Sequence, residues 1–187
     1  GNRRPIRIGL GAGETLETFY SDLDLATNHQ WGIFLGKHAG SGCSGVGSST
    51  HNILIGSDAG SRSIAPIRAN LIGDNAGQAS SGIEYSEIFG YRAGQSASGI
   101  TFSVGIGMDA GLVASGLEEM VFLGRQSMAY ALDNQRTTAI GTKAGHDSSG
   151  VQDSTFIGYQ AGAGASGTRF ANVFGYQAFQ HSKSAGS

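Results

Sequence analysis

Five histidines and one cysteine are the side chains in this 187-residue sequence best suited to metal binding or nucleophilic catalysis. Their spacing works against both. His29, His38, His51, His146 and His181 never form a close pair, and no Cys-x-x-Cys, His-Glu-x-x-His or repeated Gly-Gly-x-Gly-x-Asp is present. A metal on His38 or His146 would need a symmetry axis bringing several chains together; solvated turn histidines are the simpler reading. No metal and no cofactor are expected. Cys43 and Ser44 sit in Gly42-Cys-Ser-Gly45, where catalysis would require a base oriented by a third group, and none is indicated. Gly9-Leu-Gly-Ala-Gly13 lacks the lysine-serine pair of a phosphate loop, and no strand-helix unit surrounds it. The chain is therefore not expected to be an enzyme, although acid pairs assembled across chains, as in carbohydrate cleavage, leave no mark in one sequence.

Binding chemistry is better represented. Tyr91-Arg92, Tyr159-Gln160 and Tyr176-Gln177 each set a ring beside a hydrogen-bonding side chain, a combination suited to sugars or a protein partner. These six are the candidate ligand-binding residues. The competing reading is that the tyrosines pack over neighbouring structure.

What must position them is a repeat. Each dipeptide follows a glycine, and the equivalent glycines are Gly36, Gly56, Gly73, Gly90, Gly107, Gly124, Gly141, Gly158 and Gly175. The first interval is 20 residues and the other seven are 17 each. Two apolar residues lead into each anchor, and Ala-Gly and Ser-Gly follow in most units. A fixed short period marks a stacked architecture. Seventeen residues are too few for a helix pair, and the β-branched and aromatic residues before each anchor favour strand. The expected fold is all-β: a β-solenoid of about nine 17-residue coils, stacked at roughly 4.8 Å into a rod about 40 Å long.

Residues 1–31 are read as an N-terminal cap or connecting segment, 32–180 as the repeat domain and 181–187 as a polar tail. Between Arg125 and Gln135 both later glycines are replaced. Either this unit presents Tyr130 for binding or its bulkier residues fill a gap; packing is the preferred reading. No threonine array of the ice-binding kind occurs.

Composition narrows the partners. Glycine is abundant, at 32 residues, but in register with Ile, Leu and Phe, which argues for ordered turns rather than disorder. With a net charge of −2 and scattered basic residues, nucleic-acid binding is not expected. No apolar run approaches the roughly 20 residues of a membrane helix, and the amino end lacks a signal-peptide core. The sequence starts without methionine, as a processed or excised piece would.

The residue immediately before each anchor is always large and apolar: Leu35, Ile55, Ile72, Phe89, Ile106, Leu123, Ile140, Ile157 and Phe174. One position earlier stand Phe34, Leu54, Leu71, Ile88, Gly105, Phe122, Ala139, Phe156 and Val173. Neighbouring strand residues point to opposite faces, so both faces are set for burial, whereas a thin coil has one inside. Nine outward apolar side chains would contribute on the order of 10 kcal/mol per chain to association before entropy costs. Three coils around an axis would satisfy this, as would a dimer or a covering layer. The more uniform column is assigned to the interior. The more variable one, Phe34, Leu54, Leu71, Ile88, Phe122, Phe156 and Val173, is assigned to the oligomer interface.

Phe156-Ile-Gly-Tyr-Gln-Ala-Gly162 and Ala139-Ile-Gly-Thr-Lys-Ala-Gly145 resemble the head repeats of YadA-like trimeric autotransporter adhesins and the Ile-Gly-Tyr-x-Ala-Gly arrays of bacteriophage tail fibres. The resemblance covers residues 32 to about 180. It implies a left-handed parallel β-roll assembled as a homotrimer. The 17-residue unit is longer than in the adhesins, and no coiled-coil stalk, neck or membrane anchor is recognisable. The expectation is therefore a structural or adhesive fibre protein, the shaft or receptor-facing segment of a phage tail fibre that attaches to a host surface. The alternatives are a bacterial trimeric adhesin head and a subunit of an extracellular filament. The location implied is the virion or the cell exterior, the partner a surface glycan or protein, with no membrane insertion.

Overall fold

A computed structural model describes residues 6–8, 31–43 and 51–180. It contains thirteen strands: β1 (Ile6–Ile8), β2 (Trp31–Leu35), β3 (His51–Ile55), β4 (Asn70–Ile72), β5 (Ser81–Glu84), β6 (Glu87–Phe89), β7 (Ser98–Thr101), β8 (Val104–Ile106), β9 (Ser115–Glu118), β10 (Val121–Leu123), β11 (Thr138–Ile140), β12 (Thr155–Ile157) and β13 (Asn172–Phe174). Ten of them form one all-parallel sheet in the order β1-β2-β3-β4-β6-β8-β10-β11-β12-β13, and β5, β7 and β9 form a second. Isolated parallel bridges continue this short sheet at both ends, from Ile64↔Ser81 to Gln152↔Arg169. The chain is an all-β parallel solenoid with one strand of the long sheet per repeat.

The register follows from the anchors. Ile72 lies opposite Phe89 and Leu123 opposite Ile140, so residues 17 apart stack directly. Gly90 has φ 139°, a region closed to ordinary side chains, and a Cβ there would strike the carbonyl of Gly107 in the next coil. Backbone hydrogen bonds join each coil to both neighbours along the rod: the N–H of Gly90 donates to the Ile72 carbonyl at 2.8 Å, while that of Glu87 donates to Ser103 at 2.9 Å.

Inside the coil lie Leu54, Leu71, Ile88, Phe122 and Phe156, all fully buried, with Phe34 and Val173 buried near the ends. A column of alanines, including Ala59, Ala76, Ala93 and Ala110, packs against them, as do Ile83, Ile100 and Leu117 from the opposite side. This reverses the assignment made from the sequence. The seven residues assigned to an oligomer interface fill the coil, and the uniform column before the anchors faces outward. The physical reason is that the interior conserves summed volume across coils, not residue type. Phe122 extends over Gly105, and Met128 fills the space beside Ala139 and Gly145. Filling a gap is thus the role of the irregular unit at Met128, while Tyr130 stands exposed outside it.

Polar groups that enter the coil are bonded there. Asn134 accepts from the Val151 N–H at 2.7 Å and donates to the Ser148 hydroxyl at 2.8 Å. Asn52 does the same work between Pro66 and Ala69. Among the described residues no buried side-chain polar atom lacks a partner.

At the amino end, β1 pairs with β2 in the common register, Ile6↔Ile33 and Ile8↔Leu35. The long sheet therefore begins before residue 32. Of the cap or connecting segment expected over residues 1–31, Ile6–Ile8 and Trp31 belong to strands of the long sheet, with Trp31 paired to His51. Residues 9–30 and the tail 181–187 lie outside the described residues.

A candidate interaction face

Alternation along each strand of the long sheet leaves two columns on its outer surface. Next to the anchors run Ile55, Ile72, Phe89, Ile106, Leu123, Ile140 and Ile157, half-buried except for Ile106, which is exposed. Two positions earlier the residues change along the rod, from Ile53 through Asn70 and Glu87 to Val104, Val121, Thr138 and Thr155. Glu87 is tied down by the Asn70 amide at 2.7 and 2.9 Å. Phe102 and Tyr85 flank one edge of this face, Met108 and Tyr91 the other, all exposed.

The short sheet presents the opposite chemistry. One outward column reads Ile64, Ser81, Ser98, Ser115, Leu132, Ser149 and Ser166, with a glycine after each serine, and a second reads Ile67, Glu84, Thr101, Glu118, Gln135, Gln152 and Arg169. The column beside the anchors is apolar throughout, whereas the short sheet is mainly polar, interrupted by the exposed Ile64 and Leu132. Continuous apolar exposure of this extent is unusual on a monomer.

The six candidate ligand residues divide into two groups. Tyr159 stacks on Tyr176 with ring centroids 5.1 Å apart and planes 11° from parallel, and the Gln177 amide donates to Gln160 at 2.9 Å. Four coils away, roughly 19 Å along the axis, the Arg92 guanidinium lies 5.1 Å from the Tyr91 ring and makes a two-point bond to the buried Asp109 at 2.7 and 3.0 Å. Asp109 also holds the Arg92 pKa above its ordinary value. These residues form two separate ladders rather than one pocket. The rings of Tyr159 and Tyr176 turn a face to each other, so packing between coils accounts for that pair.

A comparable ladder lies at the corner between the two sheets. Tyr85 stacks on Phe102 at 5.1 Å, with Arg68 5.3 Å from the other side of the Tyr85 ring. The same column continues to Arg136 and Asp153, paired at 2.6 and 3.0 Å. Its signal in the sequence is the 17-residue step from Arg68 to Tyr85 to Phe102.

Among the described residues the histidines form local contacts. His38 lies 3.4 Å from Asp58, His146 lies 2.8 Å from Asp147, and the Tyr130 ring meets the His146 edge at 5.5 Å. Among the described residues no three His, Cys, Asp or Glu side chains are grouped to hold a metal. The Cys43 thiol is buried, donates to the Gly60 carbonyl at 2.9 Å and lies 3.2 Å from the Ser63 hydroxyl. Burial pushes its pKa up, away from the thiolate a nucleophile needs. His29 and His181 lie outside the described residues.

These features define the class as a parallel β-solenoid with one apolar outer face. Compared with protein-family models, with curated proteins and with solved structures, the chain finds no match in any of the three.

Proposed function

We propose that this chain is a non-enzymatic rod segment of a fibre, a phage tail-fibre shaft or receptor-facing segment. In this reading copies associate side by side as a homotrimer through the outer face of the long sheet, and the remaining surface meets a host glycan or protein. The observation that carries it is the unbroken apolar column from Ile55 to Ile157 on the outside of a coil that already has a complete interior. A bacterial adhesin head would use the same face in the same way, and the sequence resemblance extends to both.

The test is solution mass by light scattering, with Ile140→Asp and Leu123→Asp in the outer column. The expected wild-type mass is three times 19.1 kDa, falling to one chain in the variants with the circular dichroism of a folded sheet retained. A wild-type monomer at every concentration would remove the basis for lateral association. Phe156→Asp serves as the contrast: it buries a charge inside the coil and should unfold the chain rather than dissociate it.

A further inference from the structure

The tyrosine rings outside the coil differ in how many of their faces the chain itself covers. Tyr85 lies between Arg68 and Phe102, and Tyr91 has the Arg92 guanidinium over its ring. Among the described residues Tyr159 has one such neighbour, Tyr176, stacked 5.1 Å away with planes 11° apart. That separation is close to the step between coils, roughly 4.8 Å. The two rings therefore lie across the rod axis, and the second face of Tyr159 looks back along it. Seventeen residues earlier in the same column stands Thr142, and one further coil back is Arg125. Threonine is too short to cover a tyrosine ring. A slot two coil steps high, roughly 10 Å, thus opens between Tyr159 and Arg125, with Thr142 as its floor. Tyr159 is 40% exposed, and Arg125 is exposed.

The polar groups around this slot are donors. Neither the Arg125 guanidinium nor the Lys143 ammonium has a hydrogen-bond or ion-pair partner among the described residues. Their backbones touch, the Lys143 N–H donating to the Arg125 carbonyl at 2.8 Å. Gln160 has its Oε1 taken by the Gln177 and Gln180 amides at 2.9 and 3.0 Å, which leaves it N–H groups to offer. The carboxylates of this corner are engaged elsewhere, Asp109 by Arg92 and Asp147 by His146. Two uncompensated cations one coil apart repel each other weakly, so the fold gains nothing from placing them there.

We propose that the slot binds an acidic sugar unit. The pyranose takes the place in the ladder that Thr142 leaves empty, its C–H face on the Tyr159 ring, and its carboxylate or sulfate meets Arg125 and Lys143. This supplies a ligand class for the receptor-facing reading above and rests on that reading for its biological role, but binding at the slot does not depend on lateral association. The face of an aromatic ring carries partial negative charge and attracts the polarised C–H groups of a sugar. Guanidinium and ammonium donors favour an anion over a neutral hydroxyl. A ring stacked on Tyr159 sits at the level of the Thr142 coil, beside Lys143 of that coil and Arg125 of the one before. An acidic peptide would satisfy the cations but has no ring to lay on Tyr159, so a saccharide fits better.

The experiment titrates the full chain with tetragalacturonate, its neutral methyl ester, a sulfated tetrasaccharide and a glutamate-rich peptide, read by calorimetry and by the tyrosine ring signals in NMR. One of the two acidic sugars is expected to bind at least about tenfold more tightly than the ester, with affinity falling in salt. Arg125→Gln and Lys143→Gln should each weaken binding about tenfold. Thr142→Tyr fills the slot with the residue this column carries as Tyr91, Tyr159 and Tyr176; it should abolish binding while the melting temperature holds or rises. The proposal is overturned if the folded chain binds neither acidic sugar, if the ester or the peptide binds as tightly, or if Thr142→Tyr binds as well as wild type. Light scattering on the same sample keeps the two readings apart. A monomer that still binds the sugar counts against the fibre and supports the slot, and a trimer that binds none does the reverse.

Discussion

Phe122 occupies the space that a side chain on Gly105 would need: a Cβ at Gly105 would run into the Phe122 ring of the following coil. Neither position can be read without the other. Phe122→Ala should destabilise the chain by about 3–5 kcal/mol, and Gly105→Leu should destabilise it by overpacking. The double variant should lose less than the sum, because the new leucine enters the space the ring has left. Urea unfolding of the four proteins measures this coupling, and strict additivity would show that the two sites do not share one volume.

Val113 holds φ at 55° while exposed, a conformation that suits asparagine and glycine and disfavours a β-branched side chain. Its N–H still donates to the Gln95 carbonyl at 2.9 Å, so the corner is fixed by the coil below. Val113→Asn should therefore stabilise the rod by about 1 kcal/mol, read as a higher melting temperature. A decrease would mean that Val113 contributes packing beyond the exposed corner.

The Arg136–Asp153 pair gives a pH dependence of known sign. The Arg136 hydrogen bond lowers the Asp153 pKa, so the pair stabilises the folded chain above about pH 4 and is lost as pH falls through the native value. Both groups are solvent-accessible, so the contribution is small and weakens in salt. In thermal melts, the gap between wild type and Asp153→Asn should be constant from neutral pH down to about pH 5. It should then close at lower pH. A gap that persists in strong acid would assign the effect to the asparagine itself.

The repeat made the architecture legible in the sequence: the anchor spacing defines the strands, their parallel order and their 17-residue register. Inside and outside were not legible in the same way. Uniformity marked the Ile55-to-Ile157 column as the obvious interior, but Phe122 over Gly105 and Met128 beside Ala139 show that a core can vary freely at each coil if neighbours compensate. The segment of β1 was read as a short strand or a connection and left out of the repeat, because the step from Gly9 to Gly36 is 27 residues and breaks the period. The Tyr85–Phe102 ladder was present in the spacing all along, at positions far from the anchors that drew attention. Tyr159 and Tyr176 were singled out as ligand-binding candidates with packing over neighbouring structure as the competing reading, and a sequence cannot tell which ring faces are already covered.

The backbone hydrogen bonds between coils run along the rod, and this fixes how the molecule answers force. Pulling the two ends apart loads one coil's bonds at a time, as a zipper is opened, instead of sharing the load across a whole sheet in shear. Each released coil would free 17 residues, about 50–55 Å of extended chain beyond its own stacking height. A single rod held in an optical trap should therefore lengthen in equal steps at low force, while remaining stiff against bending and compression. Such a rod is a strut by itself and a poor cable, and carrying tension falls to whatever binds its sides.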